Sequence, residues 1–249
     1  MTADTCVHLA VGVAIAGLGI DWMLEQARLR RFIETLGPLP HDPCALVLAL
    51  ADQLARRPHP PDVPYLTALL GPLGATASSI IQKGGCCSGT SRLFILALRR
   101  FGIPAYQITL HHQTGRAQHC LVEVNLQDRR LIVDPVYGLY YTDARRNPIG
   151  LEDLQAGVAV EFYSVGGGVK TGYPSGNYYE FDFKMTKTAN WTKSHIRKFA
   201  YFILRSVTNG TIDRFRVPYL LEWPQVLLAL ILVVTLVAWN LVMCLWIRL

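Results

Sequence analysis

The chain is predicted to be an α+β domain, a helix packed on an antiparallel sheet, with a C-terminal membrane-spanning helix. Three observations carry this. Helix signals concentrate before about residue 102 and strand signals after it, an order typical of α+β folds. Residues 226–247 form a 22-residue run without a formal charge. A cysteine opens a well-signalled helix, and a histidine and an aspartate follow at strand positions. Composition agrees. Of 249 residues, 51% are hydrophobic and 17% charged, below the roughly 25% usual in soluble domains. That excludes a disordered polyelectrolyte, and 20 Gly and 14 Pro exclude a collagen-like chain.

In chain order, residues 6–20 are apolar apart from His8, but 15 residues are short for a span. The segment lacks the basic start of a signal peptide, so nothing exports the central domain. It reads as a core or membrane-surface helix, with a second span as the alternative. Asp42-Pro43 can cap and start a helix through about Arg57, which the proline-rich residues 58–64 end. A short helix around 65–70 and a Gly/Ser loop follow. Residues 88–101 carry Leu93, Phe94, Leu96, Ala97 and Leu98, then basic Arg99 and Arg100, with Gly102 as a stop.

Residues 105–111, 119–126 and 129–133 then read as strands, with Gln127-Asp128 as a hairpin turn. Residues 158–164 and 178–183 are weaker strand candidates. The glycine-rich stretch 166–176 reads as a mobile surface loop, because no strand-to-helix context makes it a phosphate cradle. Residues 191–207 set Ile196, Phe199, Ala200, Ile203 and Val207 on one helical stripe and Ser194, Arg197, Lys198, Tyr201 and Arg205 on the opposite one. Beside a membrane helix this pattern suits anionic lipid, and a solvated face on a helix packed to the domain is the alternative. The division expected is 1–40 N-terminal helical segment, 41–183 central α+β domain, 184–222 basic juxtamembrane region and 223–249 anchor.

A helix over the terminal run is about 33 Å long, enough for a hydrocarbon layer of roughly 30 Å. Tyr219 and Trp223 precede it, Trp246 and Arg248 close it, and Asn240 is a polar handle for a partner helix in the membrane. With Leu249 ending the chain, the span reads as a tail anchor. Eight basic residues lie between 184 and 216, and Arg28, Arg30 and Arg31 follow the N-terminal segment. The positive-inside rule then makes a single-pass protein with a cytoplasmic domain the expectation. The six cysteines show no disulfide framework, which fits that compartment. Sequons at Asn190 and Asn209 carry no meaning there.

The chemistry starts at Gly84-Gly85-Cys86-Cys87-Ser88, which leads directly into the helix. A thiol at a helix N-terminus feels the positive end of the helix dipole, which favours thiolate. His119 starts one strand and Asp134 ends the next, so a hairpin brings imidazole and carboxylate together. Thiolate, imidazole and orienting acid make a nucleophilic triad.

These residues sit in recognisable blocks. Cys87 through Arg99-Arg100-Phe101-Gly102-Ile103-Pro104-Ala105 resembles the nucleophile helix and closing GIPA signature of the transglutaminase-like superfamily. His119-Cys-Leu-Val-Glu-Val resembles the family's histidine strand, Val133-Asp134-Pro135 its aspartate motif, and residues 147–154 the segment that usually follows. The spacings, 32 residues from Cys87 to His119 and 15 on to Asp134, agree. The resemblance implies a papain-like fold with Cys87 as nucleophile, His119 as base and Asp134 as its orienter. Cys120-Leu121 replace the usual Ala-aromatic pair, and Cys86 leaves a second register open, although Ser91, Leu93-Phe94 and the distance to Gly102 favour Cys87. Lys83-Gly-Gly-Cys-Cys87 is also similar to a motif of arylamine N-acetyltransferases, to which a membrane anchor is foreign.

The reading is a membrane-anchored cysteine hydrolase or acyltransferase acting on a peptide or acyl substrate through a Cys87 thioester. The Cys87 backbone N–H is one oxyanion donor and Gln82 the candidate side-chain donor, a plain loop glutamine being the alternative. A catalytically silent binding or scaffold protein of a membrane assembly is one rival, and acetyl transfer from a thioester donor the other. No cofactor is expected. His111, His112 and Cys120 match no zinc spacing and the two histidines read as strand-surface residues, so no metal is expected. Cys6, Cys44 and Cys244 read as packing residues, and Tyr137, Tyr140 and Tyr141 as cleft or core aromatics. Anionic lipid and a membrane protein are the expected partners; the basic stretch contains no nucleic-acid module.

Overall fold

The computed structural model describes residues 3–63, 74–173, 181–188, 195–216 and 219–248. Among the described residues four helices come first: α1 (Ala3–Thr35), α2 (Pro43–Ala55), α3 (Ala77–Lys83) and α4 (Cys87–Arg100). Asp42 starts α2 by accepting the Ala45 N–H at 2.8 Å, with Pro43 in the first turn where its missing N–H costs nothing. Leu46, Val47, Leu50, Ala51 and Leu54 then bury one face. The Gly/Ser loop expected after residue 70 gives way to α3 at Ala77, where the Thr76 hydroxyl accepts the Ser79 N–H at 3.2 Å. The short helix expected at 65–70 lies outside the described residues. At the end of α4, Gly102 takes φ +73°, and the Gly102 and Ile103 N–H groups close on Arg99 and Leu98 carbonyls at 3.1 Å.

Seven strands form one antiparallel sheet: β1 (Ala105–His112), β2 (Ala117–Asn125), β3 (Arg130–Asp134), β4 (Leu139–Thr142), β5 (Glu161–Ser164), β6 (Lys170–Thr171) and β7 (Phe181–Lys187). Their order is β6-β5-β4-β3-β2-β1-β7. The β2–β3 hairpin closes as its sequence predicts, with Leu126 and Arg129 exchanging backbone hydrogen bonds at 2.9 and 3.3 Å. Strand alternation splits the core. Val122, Val124, Leu131 and Val133 pack with α2, α4 and the later part of α1, while Leu121 and Ile132 pack on the other face with Tyr141, Leu151 and Leu154. The last two belong to α5 (Leu151–Ala156). Phe94, Ile95, Leu96 and Leu98 of α4 are fully buried, each contributing about 1.5–3 kcal/mol over exposure. The mixed helix-and-antiparallel-sheet class is therefore as the sequence predicts.

Helix α6 (His195–Val207) and helix α7 (Pro224–Arg248) complete the chain. Residues 224–245 of α7 are long and apolar enough to cross a membrane. So are residues 5–35 of α1, which makes the second span, the alternative reading of this segment, a candidate as well. The apolar run ends at Ile20, but the helix does not end with it. The helix continues past Asp21 because Glu25, Leu29 and Phe32 find buried partners in the domain. α1 and α7 lie antiparallel. His8 Nε2 meets Asn240 Oδ1 at 3.1 Å, Leu18 packs on Leu228, and Gln225 donates to Asp21 at 2.8 Å. The partner helix expected for Asn240 is thus α1 of the same chain.

Both apolar helices are built into the domain. Glu25 accepts the backbone N–H of Ser78 at 2.8 Å and also its hydroxyl. Trp223, at the start of α7, is fully buried in the α4 core.

Candidate active site

Cys87 is the first residue of α4, and Cys86 is its extended N-cap residue at φ −67°, ψ −177°. No side chain within the helix caps this terminus. The task falls to Asp62, whose Oδ1 accepts the Cys86 N–H at 2.9 Å and whose Oδ2 accepts the Ser88 hydroxyl at 3.0 Å. Close approach makes this possible. Gly84 sits at φ +80° against the Pro58 carbonyl, where a Cβ would lie 2.1 Å from the oxygen. Thr90 fixes the same turn by donating to the Gly85 carbonyl at 2.9 Å. One turn beyond Cys87, buried Ser91 donates to the Cys120 carbonyl at 3.3 Å, pinning the helix to β2 beside His119.

His119 and Asp134 reach each other through strand register. Val122 pairs with Val133, so one further step puts Asp134 opposite Leu121, two residues from His119 on the same face. His119 Nε2 donates to Asp134 Oδ2 at 2.7 Å. The Cys87 sulfur stands near enough to the imidazole to raise its pKa, and with Nε2 committed to Asp134 the ring has Nδ1 left to exchange a proton with it. Asp134 is fully buried, and its Oδ1 accepts the N–H groups of Val136 at 2.9 Å and Tyr137 at 3.1 Å. Its Oδ2 also receives the Tyr173 hydroxyl. Aromatic rings enclose the imidazole: Tyr137 at 5.5 Å and Tyr173 at 6.1 Å between centroids, with Tyr173 edge-on to Tyr137 at 5.0 Å.

The electrostatics follow from these contacts. Burial pushes the His119 pKa down, but the adjacent Asp134 charge, its hydrogen bond and the Cys87 contact overturn that and carry it up to about 10. Burial pushes Asp134 up, and the His119 charge with the His119, Tyr173 and Tyr137 hydrogen bonds holds it below the usual carboxylate range. Cys86 is raised by its hydrogen bond to Cys87 and by burial, so it stays a thiol. The two adjacent cysteines therefore differ. Cys87 faces the imidazole, and Cys86 sits beside the Ser88 hydroxyl at 3.3 Å. A sulfur beside a protonated imidazole, itself held by a buried carboxylate, has what nucleophilic attack on a carbonyl requires.

The remaining candidates fall elsewhere. Gln82 is exposed at the penultimate position of α3. The Cys87 backbone N–H has no hydrogen-bond partner among the described residues. Tyr137 stands at the site, whereas Tyr141 is buried in the core and Tyr140 stacks on Tyr163 at 5.6 Å. His111 is buried, not on the strand surface, with Nδ1 at 3.1 Å from the Thr109 carbonyl; His112 is half-buried. Cys6 and Cys244 are exposed along α1 and α7 rather than packed, and Cys44 is half-buried. No cluster of three metal-ligating side chains occurs among the described residues. A cleft of about 430 Å³ lined by Ile33, Leu39, Phe101 and Ile103 lies at the opposite end of α4 from Cys87.

Two site residues were not readable in advance. Asp62 lies in the proline-rich stretch that by sequence reads only as a helix stop, and Tyr173 in the stretch that reads as a mobile surface loop. The segment before Tyr173 instead forms β6, which pairs with β5.

Comparison with curated proteins and with solved structures yields no match to this chain. A family model does match: residues 43–135, from the start of α2 to just past β3, fit the transglutaminase-like superfamily. That segment contains Asp62, Cys87, His119 and Asp134, so this cysteine–histidine–aspartate cluster lies within a transglutaminase-like domain.

Proposed function

We propose that the protein is a membrane-anchored cysteine enzyme that hydrolyses or transfers an amide or peptide acyl group through a Cys87 thioester. The observation that carries this reading is the His119 imidazole, bonded to a fully buried Asp134 and close enough to the Cys87 thiol at the start of α4 to be shifted by it. The Cys87 thiolate attacks the carbonyl carbon, a C–S bond forms, and the carbonyl electrons move to oxygen. The free Cys87 N–H at the start of α4 receives that oxyanion, with Gln82 as the side-chain donor brought to it on substrate binding. The His119 imidazolium protonates the leaving nitrogen as the C–N bond breaks. His119 then takes a proton from water, or from an acceptor amine, which attacks the thioester and releases Cys87. Asp134, held by four hydrogen bonds, keeps the ring oriented throughout.

The domain faces the cytoplasm and α1 and α7 form an antiparallel membrane hairpin. Supporting this are Arg28, Arg30 and Arg31 and the basic approach to α7, all on the domain side of the two helices. Acyl-phosphonate labelling of the full chain in membranes, mapped by mass spectrometry, tests the chemistry. Cys87 is expected to carry the label and Cys87→Ala to abolish it, whereas equal labelling of both proteins overturns the reading. Protease protection in sealed vesicles tests the side.

A further inference from the structure

The polarity of α6 is reversed relative to a helix that packs on a core. Its contact with the domain is polar: the Tyr201 hydroxyl donates to Asp213 at 2.9 Å and receives the Lys187 ammonium at 2.6 Å, with that ammonium 4.4 Å from the Tyr201 ring centroid. At 100° per residue, Phe199, Phe202, Ile203 and Val207 fall on the arc opposite Tyr201. They are 67%, 70%, 44% and 78% exposed. A helix that turns its polar side inward and four large apolar side chains outward has its apolar partner outside the domain.

The occupant follows from charge and connectivity. Lys198 and Arg205 fall toward the polar side of this arc, within the stretch that carries eight basic residues between 184 and 216. That arrangement suits an anionic headgroup layer with the apolar arc below it. The chain then runs through exposed Phe215 and Leu220 directly into α7. A lipid surface is therefore tethered next to α6 by its own polypeptide, at high effective concentration.

We infer that α6 lies in the plane of an anionic lipid surface, with Phe199, Phe202, Ile203 and Val207 inserted at the boundary between headgroups and acyl chains. This rests on the membrane-anchored reading of α1 and α7, and the test separates the two. The full chain is reconstituted in phosphatidylcholine vesicles with or without phosphatidylglycerol. p-Benzoylphenylalanine replaces Phe202, Lys198 or, as an anchor control, Leu241 of α7. Irradiated protein is analysed by mass spectrometry for phospholipid adducts.

The expected result is lipid adducts at 241 in both vesicles, and adducts at 202 several-fold above those at 198. The yield at 202 rises with phosphatidylglycerol and falls several-fold in Lys198→Glu/Arg205→Glu protein. Lipid adducts at 241 without any at 202, or adducts at 202 to a second copy or to another protein, overturn the α6 surface and leave the anchor standing. Equal yields at 202 in the two vesicles overturn its anionic specificity. No lipid adduct at 241 overturns the anchor reading itself.

Discussion

Tyr173 donates its hydroxyl to Asp134 Oδ2, the same oxygen that receives His119 Nε2. The aspartate thus has two buried donors on one oxygen and two backbone donors on the other. Such a carboxylate is fixed in both position and charge. Tyr173→Phe keeps the ring packing against Tyr137 and Phe162 and removes a hydrogen bond to a charged group, worth about 2 kcal/mol. Global stability is expected to fall by that order, and Cys87 alkylation by iodoacetamide at neutral pH to slow several-fold. Denaturant melts and timed, site-mapped alkylation check both.

The His119–Asp134 pair also sets a pH dependence. A histidine raised from 6.5 to about 10 binds its proton more tightly in the folded state than in the unfolded chain. Its stabilising contribution is complete below about pH 6.5 and is lost as pH rises toward about 10. Asp134, lowered from 3.8, adds stability that is present above pH 3.8 and is lost as pH falls through its folded value. Melting temperature should therefore be flat between these limbs and decline on both sides. Asp134→Asn removes the acid limb due to this residue and most of the alkaline limb, because His119 loses the charge that raises it. A pH series of thermal melts in nanodiscs compares the two proteins.

The helix-to-strand order, α4 and the β1–β3 meander were legible because their signals are local. Leu93 to Leu98, the Gly102 stop and the alternation along residues 119–126 each lie within one element. The spacing of Cys87, His119 and Asp134 was legible for the same reason, since Cys87 and Asp134 sit at an element's end and His119 two residues inside one. What escaped depends on distant partners. Glu25 lies beyond the apolar residues 6–20, and only Ser78, 53 residues away, accounts for its burial. Tyr173 is separated from Asp134 by 39 residues and a glycine-rich turn. Strand β4 spans only Leu139–Thr142, too short for alternation to register. The seven residues of α3 carry two serines, and its cap at Thr76 gave too little periodic sequence to outweigh them.

Asp62 performs a capping role across 24 residues of sequence, where helices usually cap themselves. Asp62→Ala leaves the Cys86 N–H and the Ser88 hydroxyl without their acceptor. The expected cost is about 1 kcal/mol, the usual loss for an N-cap. Asp62→Asn retains one acceptor oxygen and should recover part of it. Because the cap holds the first turn of α4, Cys87 alkylation is expected to slow with the Ala variant more than with Asn. Melts paired with alkylation rates distinguish this from a purely structural loss, which would leave the rates at native temperature unchanged.

The segment entering α7 is clamped to both elements that supply the site. Arg216 Nε donates to buried Glu123 of β2, the strand of His119, at 2.9 Å. Glu222 meets Arg92 of α4, the helix of Cys87, at 3.4 Å. Burial raises the Glu222 pKa, and only the Arg92 charge and hydrogen bond oppose it. Removing Arg92 therefore strands a buried carboxyl group, whereas Glu222→Gln substitutes a neutral group of the same shape. Arg92→Ala is expected to cost about 3 kcal/mol, the scale for breaking a buried pair from one side. Glu222→Gln should cost less, because it retains an acceptor for the Arg92 donor. If the clamp also registers Cys87 against His119, Arg92→Ala will slow Cys87 alkylation below the melting transition, and Glu222→Gln will leave the rate near that of the unsubstituted protein. Equal alkylation rates in all three proteins would confine the clamp to joining the anchor to the domain.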